Sequence, residues 1–403
     1  MFDTLPTPSE RNLAVRVTKD ALRQIRAGHP WIFDQSITSV SGPGNPGDLA
    51  IVFDDKRKFA AIGLWDPTSA IRIRVLTTSQ ATINQDFWER RLAEAQERRE
   101  PLPPEDVSNG IRLVHGENDA LPGLVIDRYD TTMVIKLYSS AWFAHLQPLL
   151  SAVNTTWEPT SVVLRLARNV GSHAPSGFRD GSVLTTEPPP DPTAFLENGF
   201  QLTADPVAGQ KTGYFLDQRR NRALVAEYAA DRDVLDVFCC HGGFSVHAAA
   251  GGARHVHSTD LSPFAVASAK RHVATNIADA SHSTTVGDAF EVMADLAAQG
   301  QRFDFLIVDP PSFASRKSAI ESAARAYTKL THLAVDLLRP GGLLLQASCS
   351  SRIDADLFAN TVTSAIHHAG ARHSLLKQTG HDFDHPIGYA HGAYLKAVLL
   401  EIN

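Results

Sequence analysis

Two short stretches in the second half of the chain hold residues that could share a reaction. In FLIVDPPSF, Asp309 ends an apolar run and is followed by two prolines and a phenylalanine. In LLLQASCSS, Cys349 leaves a second apolar run in a frame of Ser348, Ser350 and Ser351. A thiolate is a strong nucleophile, and a nearby carboxyl group can act as acid or hydrogen-bond partner. The plain alternative for a strand-end cysteine is packing, because a buried thiol behaves as a small hydrophobe. For Asp-Pro-Pro the alternative is a turn, yet two prolines block helix and ladder alike and hold the chain after Asp309 extended. Cys239 and Cys240, adjacent in VLDVFCCHGGFS, read as structural residues of a tight turn.

Both stretches belong to a regular pattern that begins near Asn198. VLDVF, HVHSTD, STTVGD, FDFLIVDPP and LLLQASC alternate with helical stretches, and YLKAVLLEI adds one more strand. Such alternation predicts an α/β fold with a mostly parallel sheet and helices on both faces. In these sheets ligands bind outside the carboxyl ends of the strands, near the switch point. Asp309 and Cys349 end the fourth and fifth predicted strands, so they can share a pocket.

The other strand ends describe a ligand. After Asp236 and Phe238, Gly242 and Gly243 allow close approach of the backbone, with a helix N-terminus behind them. Glycine pairs at such turns also serve packing alone. The turn is not G-x-G-x-x-G, which disfavours a dinucleotide. Asp260, 24 residues after Asp236, can accept hydrogen bonds from ribose hydroxyls or cap the next helix. GDAF puts Asp288 and Ala289 where an adenine edge could sit.

Upstream the pattern differs. In residues 1–82, AVRVTKDALRQI, DLAIVFDDKRKFAAIGLW and AIRIRVL read as short strands around the turn SGPGNPGD, a small β-barrel. Residues 83–196 read as a central α/β domain. INQDFWERRLAEAQERRE is its first helix, ended by PLPPED, and LVHGENDALPGLVIDRYDTTMVIKLYSS forms a strand meander. The helix AWFAHLQPLLSAVN and the strand SVVLRLAR follow, and TTEPPPDP is a loop before the last domain, 197–403.

Composition narrows the class. The 403 residues are 43% hydrophobic and 20% charged, as in soluble globular proteins. No apolar stretch approaches the length of a membrane span, and the N-terminus lacks the charge-then-apolar order of a secretory signal. Three cysteines suit neither a disulfide framework nor a zinc site, and HHAGARH and HDFDHP have no metal-ligand spacing. We expect a cytoplasmic protein with no metal and no membrane partner. The net charge of −6 is uneven: residues 1–80 carry ten Lys and Arg against eight Asp and Glu. Lys56, Arg57, Lys58, Arg72 and Arg74 offer a modest basic surface there, and a local basic patch can exist on an acidic protein.

The strand ends together resemble the class I S-adenosylmethionine-dependent methyltransferases. GHPWIFDQSI, GENDALPGLVIDRYD, DPVAGQKTGYFLDQRRNR, VLDVFCCHGGFS, FLIVDPPSF, QASCSS and YLKAVLL resemble one family over nearly the whole chain. It is the family of large-subunit (23S) ribosomal RNA cytosine-C5 methyltransferases that carry an N-terminal PUA domain. Cys240 stands where many methyltransferases have a glycine. The resemblance implies a Rossmann-like, seven-stranded catalytic domain. It also implies that residues 210–219, with Phe215, close over S-adenosylmethionine, and that Asp217, Gln218 and Arg219 line its methionine end. Asp217 read by itself is equally an N-cap. Implied too are a Cys349 thiolate that adds to carbon 6 of cytosine and an Asp309 that supports charge at the N3 edge. His385 falls in a family stretch near the active site, without an assignable role.

Reaching a base in folded RNA requires a single-stranded or extruded nucleotide. Phe313 could stack on that base or merely pack its loop, and Arg316 and Lys317 could touch phosphate or stay solvated. Guanine-N7 RNA methylation with a structural Cys349, a catalytically silent RNA-binding protein and a small-molecule methyltransferase are the rival readings. The sequence leaves open whether the protein is a homodimer.

Overall fold

The computed structural model describes residues 2–100, 107–314, 316–389 and 391–403. The PLPPED segment at 101–106 and the side chain of Lys317 lie outside the described parts. The chain divides into two compact units, Met1–Leu196 with Thr203–Leu216 and Phe383–Gly392, and Glu197–Leu202 with Asp217–Asp382 and Ala393–Asn403.

The first unit opens with a six-stranded sheet built from β1 (Leu13–Val17), β2 (Trp31–Phe33), β3 (Ile37–Val40), β4 (Leu49–Phe53), β5 (Phe59–Trp65) and β6 (Ile71–Thr77). Its order is β2-β6-β5-β4-β1-β3, with β1 parallel to β4 and the other pairs antiparallel. The stretch AVRVTKDALRQI, expected as strand throughout, turns into helix α1 (Lys19–Arg26) after β1. Thr18 caps it by accepting from the Ala21 amide, and Ala21, Leu22 and Ile25 face the core at helical spacing.

Helix α2 (Gln85–Glu97) follows, then the antiparallel meander β7 (Gly110–His115), β8 (Leu124–Tyr129) and β9 (Thr132–Leu137). Helix α3 (Leu146–Trp157) begins only after a 3-10 turn, so the expected helix starts later than its sequence suggests. Pro148 sits in its first turn, where the missing amide costs nothing. Strand β10 (Ser161–Leu166) pairs parallel to β9, and after helix α4 (Arg168–Gly171) strand β11 (Ser182–Val183) closes that edge. Leu64 and Leu76 from the first sheet join Trp88, Trp142 and Ile135 in one buried cluster, so both sheets of this unit share a core.

The chain passes to the second unit through the ribbon β12 (Thr193–Glu197) and β13 (Phe200–Ala204). After helix α5 (Arg219–Tyr228) come strands β14 (Asp233–Val237), β15 (His255–Asp260), β16 (His282–Val286), β17 (Phe303–Val308) and β18 (Leu338–Ser348). Between them lie helices α6 (Gly243–Ala250), α7 (Pro263–Asn276), α8 (Ala289–Ala298) and α9 (Ile320–Leu337). Helix α10 (Ala355–His368), β19 (His373–Thr379) and β20 (Lys396–Ile402) complete the unit. The sheet order is β16-β15-β14-β17-β18-β20-β19, and only β20 pairs antiparallel to its neighbours. Strands β14 and β17 are neighbours although two strands separate them in sequence, which makes their carboxyl ends the switch point. Buried clusters cover both faces, one around Phe305 and Leu345, the other around Leu306 and Leu344. The alternation explains why these strands read as unbroken apolar runs.

Candidate active site at the carboxyl edge of the second sheet

The turn after β14 bends unusually hard. Phe238, Cys240 and Gly242 all have positive φ, 64°, 49° and 75°. A Cβ on Gly242 would lie 2.5 Å from the Cα of Ala269 on α7, so this position demands glycine for packing as well as for φ. Asp260, at the end of β15, spans the turn. It accepts from the Cys240 amide at 3.0 Å with one oxygen and from the Ser262 amide at 2.9 Å with the other. Ser262, not Asp260, is the N-cap of α7. Asp288 is exposed and caps α8 through the amides of Phe290 and Glu291, with Ala289 buried behind it.

Asp236 is fully buried in β14. One oxygen accepts from Ser245 Oγ at 2.6 Å, and the other has no hydrogen-bond partner among the described residues. Burial pushes its carboxyl up to about 7; the Ser245 hydrogen bond opposes this, and the charges of Asp309 and Asp260 add to it.

Across the switch point, Asp309 accepts from Gln218 Nε2 at 2.8 Å, and Gln218 Oε1 accepts from Asn221 Nδ2 at 2.5 Å. Asp217 takes the hydroxyl of Tyr394 at 2.7 Å rather than capping α5. Arg219 is buried and donates to Asp382 at 2.8 Å. Asp217, Asp236, Asp260 and Asp309 thus bring four carboxyl groups to one edge of the sheet, a complement to a cationic ligand. That charge pattern fits S-adenosylmethionine, whose sulfonium and amino groups are positive. Phe215 belongs to the first unit, half-buried, with the Lys211 ammonium 4.3 Å from its ring centre.

Cys349 is half-buried, whereas Ser348 and Ser350 on either side are wholly buried. Both serines bond the Tyr327 hydroxyl of α9, at 2.7 and 3.2 Å. Ser350 Oγ also meets Ser312 Oγ at 3.2 Å and the Ala314 amide at 3.4 Å, which ties the loop after Asp309 to the exit of β18. Phe313 in that loop packs edge-to-face on Tyr327, 5.3 Å between ring centres. Arg316 is exposed.

The basic residues of the first sheet divide. Lys56, Arg57 and Lys58 are exposed and Arg72 is half-buried, but Arg74 is buried beside Asp66 at 3.6 Å. Arg74 therefore does not belong to a basic surface. Its charge is held inside because the central part of the unit covers that face of β6. His385 is buried in the first unit, bonded to Asp384 at 2.7 Å and 5.0 Å from the His115 ring. Sequence reading missed Asn221, Tyr327, Tyr394 and Lys396. Asn221 stood in DPVAGQKTGYFLDQRRNR, and Tyr394 and Lys396 in YLKAVLL, but none was singled out there; Tyr327 lay in no quoted stretch.

Among the described residues no helix is long and apolar enough to cross a membrane, and no group of His, Cys, Asp or Glu could hold a metal ion. The family model of S-adenosylmethionine-dependent methyltransferases matches residues 112–379, and that of PUA-like domains matches residues 15–78. The chain is 42% identical over 405 residues to a "Ribosomal RNA large subunit methyltransferase" of Deinococcus radiodurans, covering 99% of each chain. It is 36% identical to the "Ribosomal RNA large subunit methyltransferase I" of Tolumonas auensis, covering 96% of this chain and 98% of the relative. The fold is that of a Streptococcus mutans chain provisionally described as a SAM-dependent methyltransferase, with TM-score 0.83, 20% identity and coverage of 96% and 99%. The chain belongs to the S-adenosylmethionine-dependent methyltransferases that carry a PUA-like domain, the family of the ribosomal RNA large subunit methyltransferases to which it is similar.

Proposed function

We propose that the protein methylates carbon 5 of a cytidine in large-subunit (23S) ribosomal RNA, with Cys349 as the nucleophile. The relatives' names supply the RNA class. The observation that carries the choice of atom is the pairing of β17 with β18, which makes Asp309 and Cys349 neighbours at the exits of adjacent strands. A methyltransferase acting on guanine N7 has no use for a thiol there.

When bound, S-adenosylmethionine supplies an electrophilic methyl group. A solved chain of this fold, provisionally described as a methyltransferase, is complexed with SAH, with TM-score 0.84 and 20% identity. In this chain Asp217, Gln218, Arg219, Asp236, Phe238, Gly242, Gly243, Asp260, Asp288, Ala289 and Asp309 are the residues we assign to holding the methyl donor. Cys349 Sγ adds to carbon 6, the Sγ–C6 bond forms, and electron density moves to carbon 5. Asp309 stabilises the ring at its N3 edge, and Gln218 fixes the orientation of its carboxyl group. After carbon 5 has taken the methyl group, its proton passes to a base, the Sγ–C6 bond breaks and the thiolate returns. To the RNA we assign Phe313 for the extruded base, and Arg316, Lys317, Lys56, Arg57 and Lys58 for phosphate.

Nucleoside mass spectrometry on unmodified ribosomal RNA tests this. Wild type with S-adenosylmethionine is expected to form 5-methylcytidine, and Cys349→Ala to lose at least about a thousandfold in rate, as removal of a covalent nucleophile does. Methylated guanosine that survives in Cys349→Ala would return the thiol to a packing role.

A further inference from the structure

Lys396 opens β20, opposite Ser348 of β18 in the antiparallel register. It is only 5% exposed. Its ammonium donates to the carbonyl oxygens of Ser350 at 2.5 Å, Tyr394 at 3.0 Å and Ile353. Three N–H donors thus meet three acceptors, which is the full capacity of an ammonium. None of the ion pairs among the described residues involves Lys396. A buried cation without a carboxylate partner is expensive, and a protein keeps one where another anion is present or is made.

The groups facing this cation come from several elements. Cys349 and Asp354, at the exit of β18 and the N-cap of α10, are the anionic groups in its electrostatic reach. Tyr327 of α9 lies within reach of both Cys349 and Asp309. Burial pushes the Lys396 ammonium down to about 8, while Cys349 and Asp354 pull it back up. Coupling between two titrating groups is reciprocal, so whatever a thiolate does for Lys396 the ammonium does for Cys349.

We propose that Lys396 is a positioning residue for Cys349. Its ammonium clamps the carbonyls of the turn that carries the thiol, and it supplies the positive charge that favours the thiolate. This deepens the reading of Cys349 as nucleophile and rests on it for its catalytic meaning. With all three protons donated, Lys396 has no lone pair to act as the base for the carbon-5 proton.

The test reads the thiol and needs neither RNA nor methyl donor. The full chain is alkylated with iodoacetamide across pH 6–10; the thiolate displaces iodide, and peptide mass spectrometry follows the Cys349 peptide separately from that of Cys239 and Cys240. In native wild type the midpoint is expected about one pH unit below that of the same chain in urea. Lys396→Gln, which keeps donors but not charge, should raise the native midpoint by about one unit, and Lys396→Arg should restore it. A Lys396→Gln protein that melts cooperatively yet keeps the wild-type midpoint would overturn the proposal. If that variant does not fold, a native wild-type midpoint at or above the urea value overturns it equally. Loss of 5-methylcytidine in Cys349→Ala with an unmoved midpoint sinks the lysine alone; a shifted midpoint with methylation intact in Cys349→Ala sinks the nucleophile alone.

Discussion

Cys240 and Cys349 both stand where a parallel strand leaves the second sheet, β14 in one case and β18 in the other, but only the second exit holds a buried ammonium. Burial pushes the Cys240 thiol up to about 12, and Asp260 adds to it. Its neighbour Cys239 is raised further, by burial first and then by Asp236 and Asp260. At the β18 exit the buried group is the Lys396 ammonium. One edge of the sheet therefore holds an acidic turn and a basic one, two strands apart. The acidic turn suits a cationic ligand, and burial first, then the charges of Asp236 and Asp260, keep its own thiols protonated. A strand-end cysteine is made reactive or inert by what its neighbours carry, not by its place in the sheet.

The largest expected effect tests that contrast directly. At pH 7.5 iodoacetamide should modify Cys349 at least about a hundredfold faster than Cys240, even after allowing for the greater intrinsic nucleophilicity of a high-pKa thiolate. Both cysteines are half-buried, so exposure alone does not produce such a ratio. Equal labelling rates on the two peptides would break the comparison at its root.

Much of this edge was legible in the sequence because it obeys local rules. Apolar runs of strand length ending in Asp260, Asp309 or Cys349 read as parallel strands whose polar ends meet at one rim. What was not legible depends on residues far apart in the chain. Lys396, a lone charge inside the apolar stretch YLKAVLLEI, gives no local sign of a partner; its register opposite Ser348 is what buries it. Asp217 reads as a helix cap, but Tyr394 competes for it from 177 residues away. Arg74 alternates with apolar neighbours in AIRIRVL and so reads as exposed, until Asp66 and the covering part of the first unit take it inside. Helix α1 was missed although Ala21, Leu22 and Ile25 recur at helical spacing, because the alternating, β-branched AVRV just before it led the whole stretch to be read as strand.

A second, smaller effect probes the acidic turn through Asp236. Its folded carboxyl holds a proton up to about pH 7, whereas the unfolded carboxyl loses it near the ordinary aspartate value of 3.8. Between these values the folded state binds more protons, so this group's contribution makes stability fall as pH rises from about 4 to 7. Asp236→Asn cannot titrate. Measured by urea unfolding without ligand, its stability relative to wild type should improve by roughly 2–3 kcal/mol between pH 4.5 and 7.5. A difference that stays flat with pH would show that Asp236 ionises normally, and that the turn is less acidic in effect than its carboxyl groups suggest.

The smallest effect separates position from charge on the basic side. Tyr327 is buried, and its hydroxyl joins Ser348 and Ser350, while Ser350 reaches across to the loop after Asp309. The two serines that frame Cys349 in the sequence thus hold Tyr327. In Tyr327→Phe both keep a partner: Ser350 Oγ has Ser312, and Ser348 Oγ accepts from the Ser350 amide at 3.3 Å. No buried group is stranded, so the cost should be about 1 kcal/mol of stability, seen as a small drop in the urea midpoint. Methylation should slow by roughly threefold to tenfold as the link between the two loops loosens. The alkylation midpoint of Cys349 should not move, because no charge has been removed. A midpoint that rises as far as in Lys396→Gln would mean that the hydroxyl network, and not the ammonium, sets the state of the thiol.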